Sequence, residues 1–212
     1  MGLKERIAIV TGGGGWVGRA TCRRLAADGA RVIVNDLDAS KATETVDRIT
    51  SSGGDATALP FDVTKGDEVD AAVSETVERF GRIDILVNVA GGPANNLVTD
   101  MTDEEWDYAI DLNLKGTFHC IKSVARYMKT QNAGRIVNTS STSKEGVPWF
   151  SHSGQANYAS ANAGLLGLMR ALTYEFAPFG ININTVVPGP IETPKSKDNF
   201  AKLETDPRVR VS

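Results

Sequence analysis

Short apolar runs and amphipathic stripes alternate along the whole chain. Ile7, Ala8, Ile9 and Val10 form the first run, and 31–35, 56–61, 83–88, 135–138 and 181–186 repeat it. Runs of that length predict strands. Between them apolar residues recur at helical spacing. Gly18, Cys22, Leu25 and Ala26 share one face, and Val69, Ala72, Val73, Val77 and Phe80 share another. A long helix is predicted from Asp103, with Trp106, Ile110, Leu114, Phe118, Ile121 and Met128 on its apolar side. Asn113 intrudes beside that stripe, so it either ties down backbone or belongs to a polar site. The helix predicted to open at Tyr158 carries Leu165, Leu166, Leu168, Met169 and Leu172 and is apolar nearly all round. It should therefore be buried on two sides, by the sheet and by a second subunit. Strands alternating with helices predict an α/β fold of Rossmann type, a doubly wound parallel sheet. With no repeat, linker or low-complexity tract, 1–212 reads as a single domain.

Composition narrows the function classes. A net charge of −3 leaves no basic footprint for nucleic acid. No apolar run reaches the roughly 18 residues a membrane helix needs. The start, Met1 to Arg6, runs into a strand pattern without the apolar stretch of a secretory signal. Cys22 and Cys120 fall inside predicted helices as reduced core thiols, which suits the cytoplasm. Two histidines, His119 and His152, give a metal site almost no material.

The candidate chemistry gathers at strand ends. After the first strand, Thr11-Gly-Gly-Gly-Gly-Trp-Val-Gly18 turns the chain into a helix. Glycines let backbone approach a pyrophosphate closely, and the helix N-terminus offers unpaired N–H groups to an anion. The alternative is a tight turn with no ligand. Asp36 ends the second strand, close to the ~20-residue spacing at which an acid receives ribose hydroxyls in dinucleotide sites. A carboxylate there repels a 2′-phosphate and favours NAD over NADP; otherwise Asp36 caps the next helix. Asp62 either receives an adenine amino group or caps a helix. Asn88-Val-Ala-Gly-Gly92 closes the fourth strand, where ligands lie in open α/β sheets. The fifth strand ends in Ser140 and Ser141. The polar stretch 142–157, with Lys144 and His152, reads as a loop over the same sheet edge, and Tyr158 and Asn162 share a helix face.

These motifs together resemble the short-chain dehydrogenase/reductase family over essentially the whole chain. TGGGGWVG at 11–18, Asp36, Asp62-Val63, NVAG at 88–91, Asn113, NTSS at 138–141, Tyr158 and PGPIET at 188–193 carry the resemblance. It implies an NAD-dependent oxidoreductase exchanging hydride with a secondary alcohol or ketone. Tyr158 takes the acid/base role, Ser141 the substrate-oxygen role, and Asn113 and Asn162 complete the catalytic set. Ser140 and Ser143 remain alternatives to Ser141. The cofactor would lie along Gly12, Gly15, Trp16, Val17 and Gly18, then Asp36, Asp62, Val63, Asn88, Ala90 and Gly91. Tyr158, Asn162, Pro188, Gly189, Ile191 and Thr193 would complete its contacts. The family implies a homo-oligomer, a tetramer or dimer.

Three departures stand out. Asn162 occupies the lysine position of the family's YxxxK motif, so the tyrosine lacks the cation that stabilises a phenolate. Lys144 either replaces it or is a solvated loop lysine. Trp16 replaces the middle glycine of the turn and either crowds the cofactor or packs away. Finally, 195–212 is a polar substrate-loop region after which no strand pattern follows: either the sequence is truncated there, or the sheet is expected to lack its last strand. Trp149, Phe150 and His152 are candidates for the pocket wall.

Overall fold

A computed structural model of the chain describes residues 2–145 and 154–193. Six parallel strands form one sheet: β1 (Ile7–Thr11), β2 (Arg31–Val34), β3 (Asp55–Ala58), β4 (Ile85–Asn88), β5 (Gly134–Thr139) and β6 (Ile181–Val186). Their order is β3-β2-β1-β4-β5-β6. The chain winds outward from β1 in one direction and then returns to wind the other way. The crevice between β1 and β4, where the order reverses, is where such sheets receive ligands.

Strand side chains alternate between two faces. Ala8, Val10, Val32 and Val34 pack under α1 (Trp16–Ala27) and α2 (Ala39–Thr50), meeting Cys22, Ala26, Ala42 and Ile49. Ile9, Ile33, Leu86 and Ile136 face α3 (Gly66–Phe80), α5 (Gly116–Gln131) and α6 (Ala156–Phe176). Burial on both faces explains why β1 reads as an unbroken apolar run. Each fully buried Val, Leu or Ile contributes about 1.5–3 kcal/mol. Cys22 and Cys120 are free and buried, and burial pushes both thiols up to about 12.

Several expected boundaries move. The strand expected at 56–61 is Asp55–Ala58, and Pro60 beyond it has no N–H for a ladder. The strand expected at 83–88 begins at Ile85, because Ile83 bonds through both backbone groups to the Gln131 amide. The long helix from Asp103 divides into α4 (Asp103–Ile110), a π turn (Asp111–Lys115) and α5. The wider turn shifts the helical phase, leaving Trp106 and Phe118 about two-fifths exposed although the stripe assigned them inside. Helix α6 starts at Ala156 and buries Asn157, Ala161, Asn162, Leu165 and Phe176. Leu168, Met169 and Leu172 are half-buried at the rim of the core, and Leu166 on another side of the helix is only half-buried among the described residues. The polar end 195–212 and the wall candidates Trp149, Phe150 and His152 lie outside the described residues. No helix among the described residues is long and apolar enough to cross a membrane.

Candidate active site

A cleft of about 690 Å³ opens at the carboxyl ends of the strands. Its floor is the glycine turn, and close packing explains the glycines. Gly12 has φ +63°, and a Cβ there would lie 2.9 Å from Ala90 backbone atoms. A Cβ at Gly18 would run into the Gly12 carbonyl, and one at Gly91 would meet Asn113 Oδ1 at 2.5 Å. The turn is held from outside the cleft: Thr45 Oγ1 donates to Gly13 O at 3.0 Å and Arg19 to Gly14 O at 3.2 Å. Gly15 caps α1 without a side chain, and no acid occupies the first turn. By contrast α2 is capped by Asp38, and α4 by a Thr102/Glu105 box. The first N–H groups of α1 have no intrahelical partners, so this bare end suits an anion.

Asp36 stands beside the turn. Its Oδ2 accepts the Gly14 N–H at 3.0 Å and its Oδ1 the Asp38 N–H at 3.1 Å. Asp62 Oδ1 accepts from both Thr64 N and Thr64 Oγ1. Trp16 is 61% exposed at the mouth of the cleft, neither packed over the turn nor buried in it.

Across the cleft lie Ser141, Tyr158 and Asn162. Asn162 is buried; its Nδ2 donates to Tyr158 O at 2.9 Å, and its Oδ1 has no hydrogen bond among the described residues. Ser140, the alternative to Ser141, also lines the cleft, but it is buried and its Oγ donates to Asn162 O at 2.9 Å. Asn113 both lines the cleft and ties down backbone. Its Oδ1 accepts Gly92 N–H while its Nδ2 donates to Gly92 O and Ala109 O, all within 2.8–2.9 Å. The π turn places it there.

Of the expected cofactor contacts, three are not on the cleft lining. The Asn88 side chain lies beneath it, donating to Asn138 Oδ1 at 2.9 Å. Val63 is buried, with His119 Nδ1 at 3.1 Å from its carbonyl. Thr193 stands outside the lining. Gly12, Gly15, Val17, Gly18, Ala90, Gly91, Pro188, Gly189 and Ile191 do line it. Of the two readings of Lys144, the structure shows neither a fully solvated lysine nor a cation on the cleft lining. Its side chain is only 12% exposed and pairs with Glu145 at 2.6 Å, away from the lining. The described lining residues include the acids Asp36 and Asp62 but no lysine, arginine or histidine.

Sequence reasoning missed Asn157 and Gln155. Asn157 is fully buried; its Nδ2 bridges Ala94 O and Glu105 O, and its Oδ1 accepts Tyr158 N–H at 2.7 Å. It pins the first turn of α6, and with it Tyr158, to α4. A polar pair just before a predicted active residue was the available signal.

The family model for short chain dehydrogenase matches residues 6–204. The chain belongs to the short-chain dehydrogenase/reductase family. It is 43% identical over 203 residues to the short-chain reductase protein NovJ of Streptomyces niveus, covering 96% of this chain and 76% of that one. It is 41% identical over 192 residues to a 3-oxoacyl-[acyl-carrier-protein] reductase of Synechocystis, covering 90% and 76% respectively. The crystal structure of NAD⁺-bound xylitol dehydrogenase superposes with a TM-score of 0.90 at 30% identity, covering 98% of this chain and 82% of that one. This is an oxidoreductase family, and its fold is the sheet described above.

Proposed function

We propose that this short-chain dehydrogenase/reductase exchanges hydride between NAD(H) and a secondary alcohol or ketone. One observation carries the reading: Tyr158 and Ser141 face the glycine turn across a single cleft at the sheet's switch point. The residues present fit a dinucleotide. The bare end of α1 and the close-packed glycines suit the pyrophosphate, Asp36 and Asp62 the adenosine half, and Ile191 and Gly189 the nicotinamide half. When bound, the nicotinamide supplies or accepts the hydride. Tyr158 exchanges a proton with the substrate oxygen, a positioned acid/base worth roughly 10²–10⁴-fold. Ser141 steadies that oxygen, and Asn162 Oδ1 accepts from a ribose hydroxyl. Asn113 holds Gly92 and so the wall of the crevice.

The names of the relatives, a 3-oxoacyl reductase and a xylitol dehydrogenase, support a carbon cycling between carbonyl and alcohol. Titration calorimetry with NADH and NADPH tests the cofactor. Micromolar NADH with weaker NADPH is expected, and binding of neither would overturn the reading. Turnover is then assayed with acetoacetyl N-acetylcysteamine thioester and with xylitol. Asparagine rather than lysine at position 162 favours one rival, a nucleotide-binding sensor or partner subunit without hydride transfer. That rival holds if wild type binds NADH and only Asn162→Lys turns over substrate. Exposed Phe118 and Tyr174 on α5 and α6 support a homo-oligomer, to be measured by sedimentation, and the buried thiols suit a cytoplasmic setting.

A further inference from the structure

A chain of hydrogen bonds runs away from Ser141. Ser143 Oγ lies 3.0 Å from Gln155 Oε1, and Ser141 Oγ lies 3.1 Å from Ser143 Oγ. Ser143 N–H also donates to Ser141 Oγ at 3.1 Å, and Gln155 Nε2 donates to Asn95 Oδ1 at 3.4 Å. Ser143 is buried in the 3₁₀ turn Thr142–Glu145, behind Ser141. An amide oxygen only accepts. The single proton of Ser143 therefore points to Gln155, and Ser141 must give its own proton to Ser143. In this arrangement Ser141 meets the cleft as an acceptor. That matches an alcohol O–H but not a carbonyl oxygen, which needs a donor.

Every member of the chain can reverse. Hydroxyls rotate, and the Gln155 and Asn95 amides turn over; Asn95 is exposed and Gln155 half-exposed, so neither is locked by packing. After reversal Gln155 donates to Ser143, Ser143 to Ser141, and Ser141 to the cleft. No proton leaves its heavy atom. We infer that Ser143 and Gln155 are positioning residues that set whether Ser141 donates to or accepts from the substrate oxygen. The inference rests on the role proposed above for Ser141.

Gln155→Glu is the sharpest test, because a carboxylate only accepts and holds Ser141 in its acceptor state. With acetoacetyl N-acetylcysteamine thioester and NADH, KM should rise about tenfold, the scale of one hydrogen bond. With the 3-hydroxybutyryl thioester and NAD⁺, KM should hold while kcat falls, since the alcohol then donates to Ser141 instead of Tyr158. With cofactor affinity unchanged, the reaction equilibrium requires kcat/KM to fall equally in both directions. Ser143→Ala should lower kcat/KM about tenfold and Ser143→Thr should stay within about twofold of wild type. Equal KM effects on both substrates, or equal loss in the Thr and Ala variants, would overturn the inference. A second readout needs no turnover. The Gln155 side-chain amide resonances of isotope-labelled protein should move in Ser141→Ala, although the Ser141 hydroxyl is linked to Gln155 only through Ser143 among the described residues. Unmoved resonances would overturn the relay. Wild type without turnover would overturn the proposed function instead, while the resonances still decide the relay.

Discussion

The two ends of the sheet treat polar groups in opposite ways. At the amino end, Asp84 is 6% exposed and every oxygen is taken: Arg6 and Arg82 donate to Oδ1, and Arg82 and Ile7 N–H donate to Oδ2. Burial alone would raise its pKa, yet these donors, Arg82 foremost, hold the carboxyl below its ordinary value. At the carboxyl end, Asn88 and Asn138 face each other across β4 and β5, with Thr185 next on β6. One hydrogen bond links the two amides, and Asn88 Oδ1, Asn138 Nδ2 and Thr185 Oγ1 remain buried without partners among the described residues. Unpaired buried groups cost about 1–3 kcal/mol each unless water or ligand satisfies them. One edge holds the strands together; the other keeps polar groups beneath a cleft. The comparison teaches that folding energy and chemistry are separated along the strand axis.

Substitutions at the two ends should therefore fail differently. Tyr158→Phe is expected to cause the largest loss, roughly 10²–10⁴-fold in NADH formation followed by absorbance, with NADH affinity unchanged. Unchanged turnover would remove Tyr158 from the chemistry. Gly18→Ala, forced against the Gly12 carbonyl, should lower stability by about 1–3 kcal/mol in urea and lower NADH affinity as well. Asp84→Asn should lower stability by about 1–3 kcal/mol while leaving NADH titrations as in wild type. Altered NADH binding there would break the contrast. The same carboxyl predicts an acid limb. Its folded pKa is lowered, so its stabilisation is full above the unfolded value of about 3.9 and is lost as pH falls toward the folded value. Urea midpoints should drop below that pH in wild type and drop less in Asp84→Asn. The smallest effect is expected for Asp36→Asn, about a tenfold shift of the NADH-to-NADPH affinity ratio toward NADPH by removal of one charge. No shift would mean that Asp36 serves only to hold Gly14.

Much of the molecule was legible in residue order. The strand runs at Ile7–Thr11 and Ile181–Val186 were read nearly to the residue: β1 is buried on both faces and leaves an unbroken apolar run, while β6 alternates buried Ile181 and Ile183 with exposed asparagines at the period of a strand. The glycine turn was readable because only glycine tolerates such close backbone contact. The phase of Trp106 and Phe118 was not, because a π turn leaves no mark in periodicity. The place of Lys144 stayed open between a replacement cation and a solvated lysine, because its burial depends on the turn around it.

By itself the sequence determined the element types, their order and the identity of the groups at each strand end. These follow from local periodicity and from what glycine, proline and carboxylates permit nearby. Only the tertiary structure decided which polar groups meet. Asn113 closes on Gly92, Asn157 bridges Ala94 and Glu105, and Gln155 links Ser143 to Asn95. Those partners are brought together by parallel crossovers, and a hydrogen bond depends on angstrom-scale placement that no local pattern encodes.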